Sequence, residues 1–167
     1  EEICVSYDQT IGGFKMITEE ERTNILGLYN RTSMLYPKNK SIGQLFEEQL
    51  EERSSNIAIV FQERELSYRE LDKKSNALAH KLRDAGVERN DFVGIMSDKS
   101  IEQIIAILAI IKSGGAYVPI DPNYPEARIN YIMNDSKPKV ILLNHEYSCN
   151  IESIKMRLDD SSIFVGD

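Results

Sequence analysis

Few residues of this chain have the type and spacing that chemistry needs. Its imidazoles are His80 and His145 and its thiols are Cys4 and Cys149. A zinc site takes three or four ligands at tight local spacing. Two histidines and two scattered cysteines do not supply that, so no metal site is expected. No serine elbow and no Ser–His–Asp or Cys–His pattern appears. Gly114-Gly115 invites a phosphate-loop reading, but such loops follow a strand and open a helix. This pair closes a helix and precedes a strand, so it reads as a helix stop that lets helix and strand pack closely. Asp121-Pro122-Asn123-Tyr124-Pro125 is harder to dismiss. Two prolines fix φ there, and Pro119 ends the preceding strand or confines it to a sheet edge. Asp121 suits the cap of that turn. Arg128 lies one turn into the next helix, where its charge opposes the dipole, so a carboxylate or carbonyl partner is expected for it. A rigid loop with a structural ion pair is favoured over a catalytic role.

The elements that position these residues centre on 92–125. Residues 92–96 form an apolar strand, 101–113 a helix, and 116–120 a second strand. The helix is apolar almost all round (Ile101, Ile104, Ile105, Ile107, Leu108, Ile110, Ile111), which marks burial on every side. It is shorter than the ~20 residues that cross a bilayer. The unit is therefore the βαβ of a parallel sheet. A helix from Glu126 and a strand at 139–143 extend it to βαβαβ, with right-handed crossovers expected. A short helix near 151–158 and a final strand at 163–165 complete the reading. Upstream, 56–61 and 65–67 form a hairpin, and Ser67 with Glu70 is a capping box that opens a helix ending near Gly86. Ser41 opens a helix over 42–53, with Leu45, Phe46 and Leu50 on one face. Thr18 with Glu21 is a further capping box, for a helix over 19–29. Ile3, Val5 and Tyr7 alternate as in a short strand that Gly12-Gly13 breaks. The fold class is α/β.

Composition narrows the partners. The chain has 167 residues, 41% of them hydrophobic, which suits one domain with a tail. Its formal charge of -7 disfavours nucleic acid and anionic membrane, which need a basic surface. Two free thiols and no secretory signal indicate the cytoplasm.

Ile111-Lys112-Ser113-Gly114-Gly115-Ala116-Tyr117-Val118-Pro119-Ile120-Asp121-Pro122, with Tyr124-Pro125 and Arg128, resembles the second core motif of adenylation domains in nonribosomal peptide synthetases. Leu66-Ser67-Tyr68-Arg69-Glu70-Leu71 resembles their first. The Tyr-Pro-x-x-Arg continuation favours amino-acid adenylation domains over acyl-CoA ligases and luciferases. Ser113, where the family often has alanine, is a mild departure. The resemblance covers about 41–167, and 17–40 looks like the linker from a condensation domain. It implies residues 1–40 as tail and linker and 41–167 as the N-terminal portion of the adenylation domain's large subdomain.

The family activates an amino acid with ATP and Mg as an aminoacyl adenylate and loads it onto a phosphopantetheine carrier. Its phosphate loop, substrate-amine aspartate and catalytic lysine lie downstream of the last strand read here. The resemblance therefore assigns no catalytic, cofactor-binding or metal residue to this chain. It implies an inactive fragment of an AMP-forming ligase. Its partners would be the remainder of the adenylation domain, a condensation domain and a carrier domain. The apolar helix and open sheet edges lead one to expect a homodimer of the fragment. Two other readings remain open: a non-catalytic interaction or scaffold domain, and a Rossmann-type nucleotide-binding domain. The lack of a glycine-rich strand-to-helix turn counts against the latter.

Overall fold

The computed structural model of the chain describes residue 10 and residues 16–144 and 153–165. Two compact units separate at 39/40. The strand read at Ile3, Val5 and Tyr7, with Gly12-Gly13, Cys4, His145 and Cys149, lies outside the described residues.

In the first unit, α1 (Glu19–Thr23) begins where the Thr18 hydroxyl accepts from the Glu21 N–H at 3.1 Å. The Glu21 carboxylate accepts from the Thr18 N–H at 2.8 Å, completing the capping box. The helix runs on as a π-helical turn, Asn24–Leu28, closed by the Tyr29 N–H donating to the Asn24 carbonyl. Neither element buries a residue.

The second unit opens with α2 (Ile42–Arg53), capped by Ser41 and Gln44. β1 (Ile57–Phe61) and β2 (Arg64–Ser67) form an antiparallel hairpin. α3 (Tyr68–Asp84) follows directly on the Ser67–Glu70 box. Then come β3 (Phe92–Met96), α4 (Ile101–Ser113), β4 (Ala116–Ile120), α5 (Glu126–Ser136) and β5 (Val140–Leu143). With β6 (Ile154–Arg157), all the strands after the hairpin are parallel, in the order β4-β3-β5-β6.

The sequence explains that order. β5 reads Val-Ile-Leu-Leu and is buried throughout, as is β3 beyond Phe92, because both are covered on both faces. β4 alternates between exposed and covered positions, as an edge strand should. Pro119 lies on it, opposite Ile95, where a missing N–H costs no ladder bond on the open side.

Side-chain alternation splits the core in two. Val93, Ile95, Val140 and Leu142 face α3 and α4. Met96, Ile141 and Leu143 face Met133 of α5. α4 buries Ile101, Ile105, Leu108 and Ile110, each worth roughly 1.5–3 kcal/mol of transfer free energy. Burial on every side, expected from its composition, is not complete, since Ile104 stays 42% exposed.

Two expectations fail at the C-terminal end. The helix read at 151–158 is instead the strand β6 (Ile154–Arg157), paired with β5. Ile154, Met156 and Leu158 alternate, and the open edge of β5 offers backbone partners that outweigh a short helix's weak propensity. The strand read at 163–165 is a 3-10 turn, Ser161–Phe164. Asp160 accepts from the Ser162 N–H at 2.9 Å and starts the turn. Ile163 and Phe164 are spent as plugs against α3, whose Lys81 donates to the Ser162 carbonyl.

Gly114 caps α4 at φ +94°, a left-handed conformation that side chains resist. Gly114→Ala should therefore lower stability by about 1–2 kcal/mol, seen in urea as a lower midpoint at unchanged slope.

Candidate functional site

The two motif stretches meet on one side of the second unit. Ser67 stands between β2 and α3, and its hydroxyl donates to the Glu70 carboxylate at 2.7 Å. Glu70 also accepts from the Ser67 N–H at 2.9 Å. The side-chain bond foremost, with the backbone bond beside it, holds the Glu70 carboxyl below its ordinary value. This is helix-cap chemistry, and both groups are spent within it.

Lys112 comes from the last turn of α4. Its Nζ donates to Asp72 Oδ1 at 2.6 Å and to Asn76 Oδ1 at 2.7 Å, both on α3. It also lies 5.2 Å from the ring centre of Phe46 on α2. Phe46 in turn stacks on Tyr68 at 5.9 Å. With 5% of its side chain exposed, Lys112 is a buried clamp across α2, α3 and α4, not a free base. Arg83 donates to the Lys112 carbonyl beside it.

Gly115 shows why a second glycine follows the first. A Cβ there would meet the Asp91 carbonyl oxygen and Val87 Cγ1 at 3.2 Å, and Ile110 Cγ2 at 3.3 Å. The loop before β3 is sewn to this turn. The Asn90 N–H donates to the Gly114 carbonyl at 2.9 Å and the Ala116 N–H to the Asp91 carbonyl at 2.8 Å. Asp91 accepts first from the Glu88 N–H and then from Lys139 Nζ at 3.0 Å, and both lower its carboxyl. The pair is a helix stop, as its order in the sequence requires.

Asp121 caps the turn after β4, accepting from the Asn123 N–H at 2.8 Å. Arg128 departs from expectation. Among the described residues it has no carboxylate or carbonyl partner, and its guanidinium lies 5.8 Å from the Tyr131 ring centre. It is exposed, and the Tyr131 ring lies one turn along the same helix face, where it can take a cation–π contact. The structural ion pair is not formed. His80 is likewise exposed, on the wall of a cleft between α2 and α3. Among the described residues no three His, Cys, Asp or Glu side chains gather around a metal-sized space. No helix there is long and apolar enough to cross a membrane.

Sequence reasoning missed Ser97 and Asn144. Among the described residues, Ser97 Oγ and Asn144 Oδ1 are buried without a hydrogen-bond partner. They stand one residue past the paired ends of β3 and β5, Met96 and Leu143. Polar residues just beyond buried strands were the available signal, and it is a common one.

Arg64 joins the hairpin to the first turn of α4 through Glu102 at 2.6 Å. Burial pushes the Glu102 carboxyl up, but the Arg64 bond and nearby charges outweigh it and leave it lowered. A buried clamp and a set of lowered carboxyls make two tests. Lys112→Met should cost about 1.5–3 kcal/mol, and a double-mutant cycle with Asp72→Asn should show that most of the loss is shared. Glu70, Asp91, Glu102 and Asp160 all have lowered carboxyls. The unfolded chain then binds more protons, so their contribution is present above the unfolded values and lost as pH falls through the folded ones. The melting temperature should hold down to about pH 5 and drop below about pH 4, with Glu102→Gln flattening the decline.

The family described as AMP-binding enzyme matches residues 46–163. Bacitracin synthase 3 of Bacillus licheniformis is 43% identical over 152 residues, covering 91% of this chain and 2% of that protein. Tyrocidine synthase 1 of Brevibacillus parabrevis is 53% identical over 113 residues, covering 68% of this chain and 10% of that one. Among solved structures, the nonribosomal peptide synthetase FmoA3 superposes with a TM-score of 0.75 at 25% identity, over 88% of this chain and 16% of that one. An artificially fused adenylation–PCP di-domain, NpsA-ThdA from Klebsiella oxytoca, superposes with a TM-score of 0.68 at 25% identity, over 75% and 24%. The chain thus spans a small fraction of the length of the relatives it matches.

Proposed function

The chain belongs to the AMP-binding enzyme family, and from that premise we propose that it serves the ATP-dependent activation of an amino acid in nonribosomal peptide synthesis. The observation that carries this reading is the joint occurrence of the two motif stretches, Leu66 to Leu71 and Ile111 to Arg128, inside the matched region. A bacitracin synthase, a mycosubtilin synthase subunit and a tyrocidine synthase align along most of the chain, which supports it.

In the proposed reaction an amino acid carboxylate oxygen bonds to the α-phosphorus of ATP, and pyrophosphate leaves with the electron pair of the broken P–O bond. A carrier thiol then displaces AMP from the acyl carbon. The described residues do not fit the ATP–Mg group this needs. The turns after β3 and β4 are Ser97–Ser100 and Asp121–Pro125, without the glycines that let backbone N–H groups surround phosphate. The role of the described residues is to build the sheet and helices on which the rest of an adenylation domain rests. The partners of this reading are the remainder of that domain, a condensation domain and a carrier domain.

Amino-acid-dependent ATP–pyrophosphate exchange tests the proposal. A longer protein containing this chain should exchange with one or a few amino acids. The 167-residue chain alone should stay at background with all proteinogenic amino acids. Exchange by the chain alone would overturn its non-catalytic role. Silence of the longer protein, when folded, would overturn the adenylation reading.

A further inference from the structure

α5 packs thinly on the sheet. Of its 11 residues only Met133 is buried. Ile129 and Ile132 are half-buried and rest with it on the small core of Met96, Ile120, Ile141 and Leu143. The outer face is open. Arg128, Tyr131 and Asp135 are all exposed, Tyr131 by 63%. Steps of three and four residues place the three in one stripe along the helix.

The two charges of this stripe are unused. Among the described residues the Arg128 guanidinium meets the Tyr131 ring, at 5.8 Å, and no hydrogen-bond acceptor. The Asp135 carboxylate makes no hydrogen bond or ion pair among them. Arg128 and Asp135 stand about 10 Å apart along the axis, so they do not pair with each other on one helix. The ring steadies the guanidinium and leaves its N–H fork for a carboxylate.

The stripe is complementary to itself. When it lies antiparallel on a copy, with the twofold axis between Tyr131 and Ile132, Arg128 comes level with Asp135 of the copy. Asp135 then comes level with Arg128 of the copy. The same register sets Tyr131 against Ile132 of the copy, an aromatic ring on an aliphatic chain. A twofold interface requires this reciprocity, in which residue i meets j and j meets i. Tyrosine and arginine are also the residue types that anchor interfaces. A parallel register would instead oppose Arg128 to Arg128 and Asp135 to Asp135, which like charge disfavours.

We propose that the outer face of α5 is a contact between two copies of this chain, paired antiparallel through two reciprocal Arg128–Asp135 ion pairs around Tyr131. One face of a short helix buries less than the roughly 800 Å2 per partner of a tight complex. The association is therefore weak, with a Kd on the order of 0.1 mM. It rests on the stripe of α5 and not on the adenylation reading.

The test is sedimentation of the isotope-labelled 167-residue chain from about 10 μM to 1 mM, with amide NMR over the same range. Dimer should accumulate with concentration and retreat in high salt. The amide shifts should centre on Arg128, Tyr131 and Asp135. Arg128→Asp and Asp135→Arg should each weaken association at least about tenfold, because each sets like charges face to face. Neither should lower the melting temperature. The new aspartate falls in the first turn of α5 and the new arginine in the last, where the helix dipole favours them. An equimolar mixture of the two variants should associate about as well as the unsubstituted chain, since each supplies the charges that the other lacks. A chain that stays monomeric to about 1 mM would overturn the proposal. A dimer that neither substitution weakens would also overturn it, by placing the contact on another face. A mixture that associates no better than its components would overturn the reciprocal pairing and the proposal with it.

Discussion

The close approach of α4 to the start of β3 is the constraint on which the second unit depends. Gly115 sits where a Cβ would press on the Asp91 carbonyl and on Val87 and Ile110 together. Only a residue without a side chain lets the chain leave the helix and enter β4 at that distance. The left-handed turn at Gly114 sets the direction of that exit. With both in place, β4 pairs with β3 along its whole length, from Phe92–Ala116 to Met96–Ile120. The Ile-rich face of α4 then lies on the sheet and excludes water from it.

Charge pairs stitch this packing together, and they do so unequally. Lys139 with Asp91 and Arg64 with Glu102 are partly open to solvent and so contribute little each. Lys112 is different. Its ammonium is almost fully covered, and its partners Asp72 and Asn76 are bonded to each other as well. Covered ion pairs are poor sources of net stability, because desolvation offsets the attraction. Their geometry is demanding, however, and this one relates three helices at a single point.

The motif stretches therefore carry architecture. Ser67 and Glu70 cap a helix, Lys112 clamps, Gly114-Gly115 turns, Asp121 caps and Pro119 ends an edge. Each has a physical task complete within this chain. A residue such as Arg128, exposed over Tyr131 and without a hydrogen-bond acceptor among the described residues, is the exception.

The sequence by itself determined the elements whose signals are local. Capping boxes, the apolar run of α4, the glycine pair and the prolines fall where the structure has them, and the bounds of β3, α4 and β4 coincide with those read from the sequence. These signals act between residues a few positions apart, so the chain order contains them. Only the tertiary structure decided the rest. β6 is a strand because β5 has an edge to pair, and Ile163 and Phe164 are plugs because α3 offers a surface to cover. Arg128 lies over the Tyr131 ring and has no carboxylate or carbonyl partner among the described residues. Ser97 and Asn144 become neighbours only through parallel pairing of strands 47 positions apart in register, Met96 with Leu143. Contacts between distant residues depend on the topology, and a periodicity read along one chain does not contain it.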